Sequence, residues 1–147
     1  MNLKLIAFFP ILIAAILYSY TEYQNISRSL NTTRCVKEFA LRAEKNLKSD
    51  MLPISNILSE IFNIPQEATS DESLYIKSGF AENDTRKIMD YSIKYNYLNH
   101  NDIILETQKL IHYAEERYSE TQDEFQKRIH SLICPHACVI LLIMLSL

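Results

Sequence analysis

The sequence predicts an all-α protein: N- and C-terminal transmembrane helices flanking a cytoplasmic helical bundle with a long antiparallel stalk. Three observations point there. Glycine occurs once, at Gly79, in 147 residues. Apolar residues gather at the two ends, although mean hydropathy is near neutral. Between the ends, apolar residues recur every three to four or every seven positions, the periods of a helix face.

The near absence of glycine also bounds function. Phosphate-cradling loops and tight hairpins need residues that tolerate positive φ, and a P-loop or a Rossmann turn needs several glycines. Fifteen basic against eighteen acidic residues give a net charge of -3, which predicts no nucleic-acid surface. The three cysteines, Cys35, Cys134 and Cys138, have no framework spacing. On a helix Cys134 and Cys138 share a face while His136 is turned about 200° away, so small membrane-helix residues are favoured over a metal site. No H-E-x-x-H, G-x-S-x-G or Cys-His arrangement occurs, and the carboxylate pair Glu115-Glu116 projects from an exposed helix, not into a pocket. The chain is therefore expected to be a non-enzyme, without catalytic residues, metal or cofactor.

Residues 1–21 are expected to form the first anchor. Leu3 to Tyr20 carries one charge, Lys4, and as helix it spans about 27 Å, close to a bilayer core. Tyr18, Tyr20 and Tyr23 stand where aromatic anchors meet headgroups. A cleaved leader is the rival reading, but no small-x-small site follows Ile16-Leu17-Tyr18-Ser19-Tyr20. Residues 131–147 are expected to form the second anchor, dense in Ile and Leu from Val139 to Leu145. Arg28, Arg34 and Lys37 follow the first anchor, and Arg117, Lys127 and Arg128 precede the second. The positive-inside rule then puts residues 22–130 in the cytoplasm. Sequons at Asn25, Asn31 and Asn83 argue weakly the other way and are near the chance number.

Within residues 22–130, Ile26, Leu30, Val36, Ala40, Ala43 and Leu47 suit one helix face. Ser49-Asp50 offers a cap before a short amphipathic helix with Pro53 in its first turn and Ile54, Ile57, Leu58, Ile61 and Phe62 inward. Asn63 to Glu72 reads as a connector and Ser73 to Phe80 as a brief helix. Asn83-Asp84 is expected to start the next helix, through Ile88, Met89, Tyr91, Ile93, Tyr95 and Leu98. Asn99-His100-Asn101-Asp102 is a turn and a new cap. A helix without a breaker until Pro135 follows, with Ile104, Ile111, Tyr118, Phe125 and Leu132 at seven-residue intervals and Ala114 and Thr121 at companion positions. Such a repeat implies a seam against another long helix, expected to be Ile26 to Leu47. The other face carries Glu115, Glu116, Glu120, Asp123 and Glu124, either a solvated face or an acidic docking surface for a basic partner.

With anchors and helices placed, the chain resembles the stage III sporulation protein AB family over nearly its full length. LKLIAFFPILIAAILYSY looks like that family's opening anchor. Leu52-Pro53 with Ile57, Leu58 and Ile61 is similar to its PLPE-type helix. Leu98-Asn99-His100-Asn101-Asp102 resembles its L-G-x-S-D turn. The stretch from Ala114-Glu115-Glu116 to Lys127-Arg128, then His130-Ser131-Leu132 and VILLIML, looks like its charged stalk and final anchor. Departures are Asn99 for the turn glycine, Glu106 for a glutamine, and Cys134-Pro135 and Ala137 where glycines stand at the last junction. Asparagine also tolerates the left-handed conformation, so the turn survives the first change.

The resemblance implies a structural subunit of the channel between mother cell and forespore in endospore formation, with a soluble domain like the platform of type II secretion and type IV pilus machines. It implies residence in the mother-cell membrane around the forespore. The implied partners are the lipid bilayer, a secretion-type ATPase (stage III sporulation protein AA-like) and other channel membrane subunits, and self-association is compatible with it. A generic membrane-anchored coiled-coil adaptor and a secreted helical protein remain open alternatives.

Overall fold

The computed structural model describes the backbone of residues 3–49 and 52–146, and the side chains within those ranges except 3–9, 11, 12 and 133–146. Every regular element among the described residues is helical: α1 (Leu3–Lys48), α2 (Ile54–Phe62), a 3-10 turn (Gln66–Ala68), α3 (Glu72–Lys77), α4 (Glu82–Tyr97) and α5 (His100–Ser146). The chain is thus all-α. Helix α1 runs through Pro10 without ending, and α5 likewise continues past position 135. No helix among the described residues is long and apolar enough to cross a membrane. The two expected anchors fall largely on residues whose side chains lie outside the description.

The chain divides into two compact units. Unit 2, Ser29–Gln122, holds the core. Val36, Ala40, Ala43 and Leu47 of α1 are buried, as the α1 periodicity predicts, and so is Phe39, which that stripe did not include. So are Ile54, Ile57, Leu58 and Phe62 of α2, Ile88 and Tyr91 of α4, and Ile103, Leu110 and Ala114 of α5. Phe62 sits among three rings, with centroids of Phe39 at 5.7 Å, Tyr75 at 5.3 Å and Phe80 at 5.1 Å. The tilted and edge-on geometries suit aromatic quadrupoles.

Local chemistry explains the helix ends. The single glycine stands where positive φ is required. Gly79 (φ 95°) follows α3, its N–H donates to the Ile76 carbonyl at 2.9 Å, and the Phe80 N–H donates to the Tyr75 carbonyl at 3.1 Å. That is a Schellman closure, and the Phe80 ring packs against Tyr75 at 6.3 Å, the apolar contact that accompanies such closures. Asn63 ends α2 in the left-handed region (φ 52°), which asparagine tolerates. Asp71 caps α3, its Oδ1 accepting from the Ser73 N–H at 3.0 Å.

Three expected boundaries shift. Pro53 occupies the cap position before α2 rather than its first turn, and Asp50 lies outside the described residues. Asn83-Asp84 does not cap α4: the helix starts at Glu82 from Ala81, and Asp84 is carried into its first turn, 1% exposed. The brief helix α3 starts one residue early and stops three short of Phe80, because Gly79 turns the chain. The cap of α5 is where it was expected. Asn99 Oδ1 accepts from the Asp102 N–H at 3.0 Å, and Asn99 Nδ2 donates to Asp102 Oδ2 at 2.6 Å.

Unit 1, Met1–Arg28 with Asp123–Leu147, pairs the two long helices. Tyr23 meets Phe125 with ring centroids 6.4 Å apart, and Arg128 Nη1 lies 4.0 Å from Glu22. Ile13, Ile16, Leu17, Tyr18 and Tyr20 all point outward, Leu17 being 59% exposed.

Candidate functional site

The most polar feature of unit 2 is a seam between α4 and α5. On α4, Asp84, Lys87, Tyr91 and Lys94 follow one another at spacings of three and four; on α5, Glu106, Tyr113 and Arg117 stand seven and four apart, so each set forms one stripe. The stripes meet in antiparallel order. Tyr113 donates its hydroxyl to Asp84 Oδ1 at 2.6 Å, Tyr91 and Thr107 share a hydrogen bond of 2.8 Å, and Lys94 Nζ donates to Glu106 Oε2 at 2.8 Å. The α5 helix thus has α4 as a close neighbour in unit 2, where the sequence predicted α1 alone. It touches α1 too, through Lys37, which lies 3.9 Å from Glu115 and 5.2 Å above the Tyr118 ring.

The seam opens into a charged cleft of about 220 Å³ lined by Lys87, Asp90, Lys94, Glu106, Lys109 and Tyr113, with Tyr91 and Leu110 at its floor. Asp90, Lys94, Glu106 and Lys109 pair with one another, and Lys87 Nζ lies 5.5 Å from the centre of the Tyr113 ring. Lys109 and then Lys94 hold the Glu106 carboxyl down at about 2. Asp90 and then Glu106 raise Lys94 to about 12. Burial, reinforced by the Asp84 hydrogen bond, pushes the Tyr113 phenol to about 12. Burial does the same to Tyr91 against the opposing Thr107 bond. Asp84 is the exception to full satisfaction: it accepts from Tyr113, lies 3.6 Å from Arg117 Nε, and leaves Oδ2 without a hydrogen-bond partner. Its place in the first turn of α4 puts the carboxylate at the positive end of the helix dipole. The arrangement holds two helices in register through hydroxyl, carboxylate and ammonium groups.

The expected acidic face is exposed throughout. In unit 2, Glu115 reaches toward Lys37, Glu120 Oε2 accepts from Arg117 Nη1 at 3.2 Å, and Glu116 faces water. Asp123 and Glu124, in unit 1, are exposed as well.

The expected heptad seam is displaced from the buried line. Ile103, Thr107, Leu110, Ala114 and Thr121 are buried; Ile104 is 37% exposed, and Ile111, Tyr118, Phe125 and Leu132 are half-buried. Ile103 and Leu110 are seven apart, as are Thr107, Ala114 and Thr121, so the packed side keeps the seven-residue period on lines one residue before and three residues after Ile104. The companions Ala114 and Thr121 are the positions that pack.

Of the family-like positions, Leu52 and Pro53 are exposed at the entry to α2, and Leu98 ends α4. Asn99 and Asp102 form the α5 cap, and Glu106 anchors the charged cleft. The sequons at Asn31 and Asn83 have their hydroxyls turned inward: Thr33 and Thr85 are buried and donate to helix carbonyls.

Asp84, Tyr113, Arg117 and Asn46 escaped sequence reasoning. The stripe spacing on α4 and α5 was the available signal for the first three. Among the described residues no group of three His, Cys, Asp or Glu is placed to hold a metal ion; Cys134, His136 and Cys138 lie outside the described side chains. No family model, no curated protein and no solved structure matches the chain.

Proposed function

We propose that the chain is a structural platform subunit of the transenvelope channel that joins mother cell and forespore during endospore formation. In this reading an apolar segment at each end anchors it in the mother-cell membrane around the forespore. The domain over residues 22–130 stands in the cytoplasm and couples a secretion-type ATPase to the channel's other membrane components. The role is scaffolding rather than catalysis.

The observation that carries the reading is an order of elements: apolar opening, Pro53-led helix, Leu98 to Asp102 turn, charged stalk, apolar close. The anchors rest on sequence, Lys4 being the one charge in Leu3 to Tyr20 and none occurring from Val139 to Leu145. Ile13, Ile16 and Leu17, turned outward on α1, add support, because a run of exposed aliphatic side chains suits lipid better than water. The compact core of unit 2 and its satisfied charges fit a rigid coupling piece.

The test is direct. The full chain should stay with membranes through alkaline carbonate washing, and a reporter inserted near residue 70 should register as cytoplasmic. Deletion should arrest spore maturation after engulfment, and the tagged chain should co-purify with a hexameric ATPase from detergent extracts. Release by carbonate, or normal spores from the deletion strain, would defeat the reading.

A further inference from the structure

Among the described residues Asp84 is the single buried charged side chain, 1% exposed in the first turn of α4. Its Oδ1 takes the Tyr113 hydroxyl, and its Oδ2 has no hydrogen-bond partner. A buried carboxylate oxygen left without a donor is costly. A donor able to complete it stands close by. Arg117, one turn along α5 from Tyr113, brings Nε to 3.6 Å from Asp84 Oδ1, just outside hydrogen-bond distance. Its Nη1 donates instead to Glu120 Oε2 at 3.2 Å.

One guanidinium thus serves two carboxylates of unequal standing. The Glu120 side chain is 59% exposed, whereas that of Asp84 is buried. An exposed pair contributes little and is weakened by salt, while a buried one is screened far less. The arginine itself responds more to the inner partner. Burial opposes its charge, and Asp84, ahead of the Glu120 hydrogen bond, overcomes that and raises its pKa. Glu120 therefore holds back a guanidinium that the open side of Asp84 would use better. A long side chain with five donors can serve either carboxylate without movement of the backbone.

We propose that Arg117 is a two-position latch on the α4–α5 seam, resting on Glu120 or turned fully onto Asp84, and that the charge at Glu120 sets which position it takes. Screening or neutralising Glu120 sends the guanidinium inward, where it completes Asp84 and tightens α5 against α4. The firmness of unit 2 then depends on the ionic state of its own acidic face. The latch lies wholly within unit 2 and stands independently of the sporulation reading.

The experiment uses the full chain in a non-ionic detergent, melted at low salt and at 0.3 M sodium chloride. Glu120→Gln loses an ion pair, yet it should melt about 2 °C or more above the wild type at low salt. Added salt should close that gap by raising the wild type more than the variant. In an Arg117→Gln background Glu120→Gln should bring no gain, because no guanidinium is left to move. Asp84→Asn serves as the background instead should Arg117→Gln lose helicity by circular dichroism. In spectra of the 15N-arginine-labelled chain, the Arg117 Nε–H should exchange with water more slowly in Glu120→Gln than in the wild type. A Glu120→Gln chain that melts at or below the wild type overturns the proposal. So does a gain that persists without Arg117 or Asp84, since relief of repulsion along the acidic face would then explain it, and so does an unchanged Nε–H exchange rate.

Discussion

Asn46 near the end of α1 holds both backbone groups of Leu52: its Oδ1 accepts from the Leu52 N–H at 2.9 Å and its Nδ2 donates to the Leu52 carbonyl at 2.8 Å. The same Nδ2 lies 2.8 Å from the Tyr95 hydroxyl. A side-chain amide thus stands in for a backbone partner where the chain leaves α1, and it ties that corner to α4. Asn46 is itself buried.

Asn46→Ala removes all three contacts and leaves backbone groups seeking water in a partly covered corner. The expected loss is about 1–3 kcal/mol, read as a lower midpoint in denaturant or heat with unchanged helix content. Asn46→Asp keeps the acceptor but sets a buried anionic oxygen against the Leu52 carbonyl, so it should be no more stable than alanine near neutral pH.

Tyr113→Phe takes from Asp84 its one hydrogen bond, leaving a buried carboxylate with Arg117 at 3.6 Å as its remaining partner. A hydrogen bond to a charged group contributes about 1.5–3 kcal/mol, and a loss of that size is expected in the unfolding free energy. The double change Tyr113→Phe with Asp84→Leu should recover part of it, because removing both partners removes the orphaned charge. A double variant no more stable than Tyr113→Phe would show that the carboxylate is paired by other means.

The acid limb of stability should carry the mark of Glu106. Its folded pKa lies below the ordinary 4.5, at about 2, so its contribution is fully present above pH 4.5 and fades as pH falls from there toward 2. Melting temperature measured against pH should drop through that window in the wild type. In Glu106→Gln the same window should be flatter.

At high pH the sign reverses. Tyr75, Tyr91 and Tyr113 are each raised from 10.0 to about 12, first of all by burial, so the folded state resists their ionisation. Their contribution is complete below pH 10 and is lost as pH rises toward 12. Spectrophotometric titration should show a late phenolate component accompanied by unfolding, reduced in a Tyr91→Phe, Tyr113→Phe variant.

The displaced seam on α5 makes a paired prediction. Ala114 has no exposed surface, so Ala114→Leu overpacks the core and should cost about 1–3 kcal/mol. Ile104, 37% exposed, should lose less on change to alanine than the about 2–5 kcal/mol of a fully buried isoleucine, since over a third of its surface stays in water. Comparable losses at both positions would restore the seven-residue line as the packing line.

Much of the helical architecture was legible in the residues. The inward faces of α1 and α2 were readable because an apolar stripe at helical spacing has only one way to leave water. The α5 start was readable because Asn99 and Asp102 stand at cap spacing, a local relation within one turn. Where sequence reading failed, the decisive relation was not local. Asn83-Asp84 had the composition of a cap, yet Asp84 was drawn inward by Tyr113 and Arg117, residues of another helix. The seven-residue repeat on α5 was real as a pattern, but the residues that pack most deeply lie on neighbouring lines of the same period.

By itself, then, the sequence determined that the chain is helical, where most of its helices begin and end, and which stripes of α1 and α2 face inward. These follow from propensity, capping and apolar period, each acting within a few residues. Tertiary structure alone decided that α4 lies along α5, which polar residues its stripe would meet, and that Asn46 would clasp Leu52. Those depend on contacts between residues distant in the chain, whose partners no local pattern names.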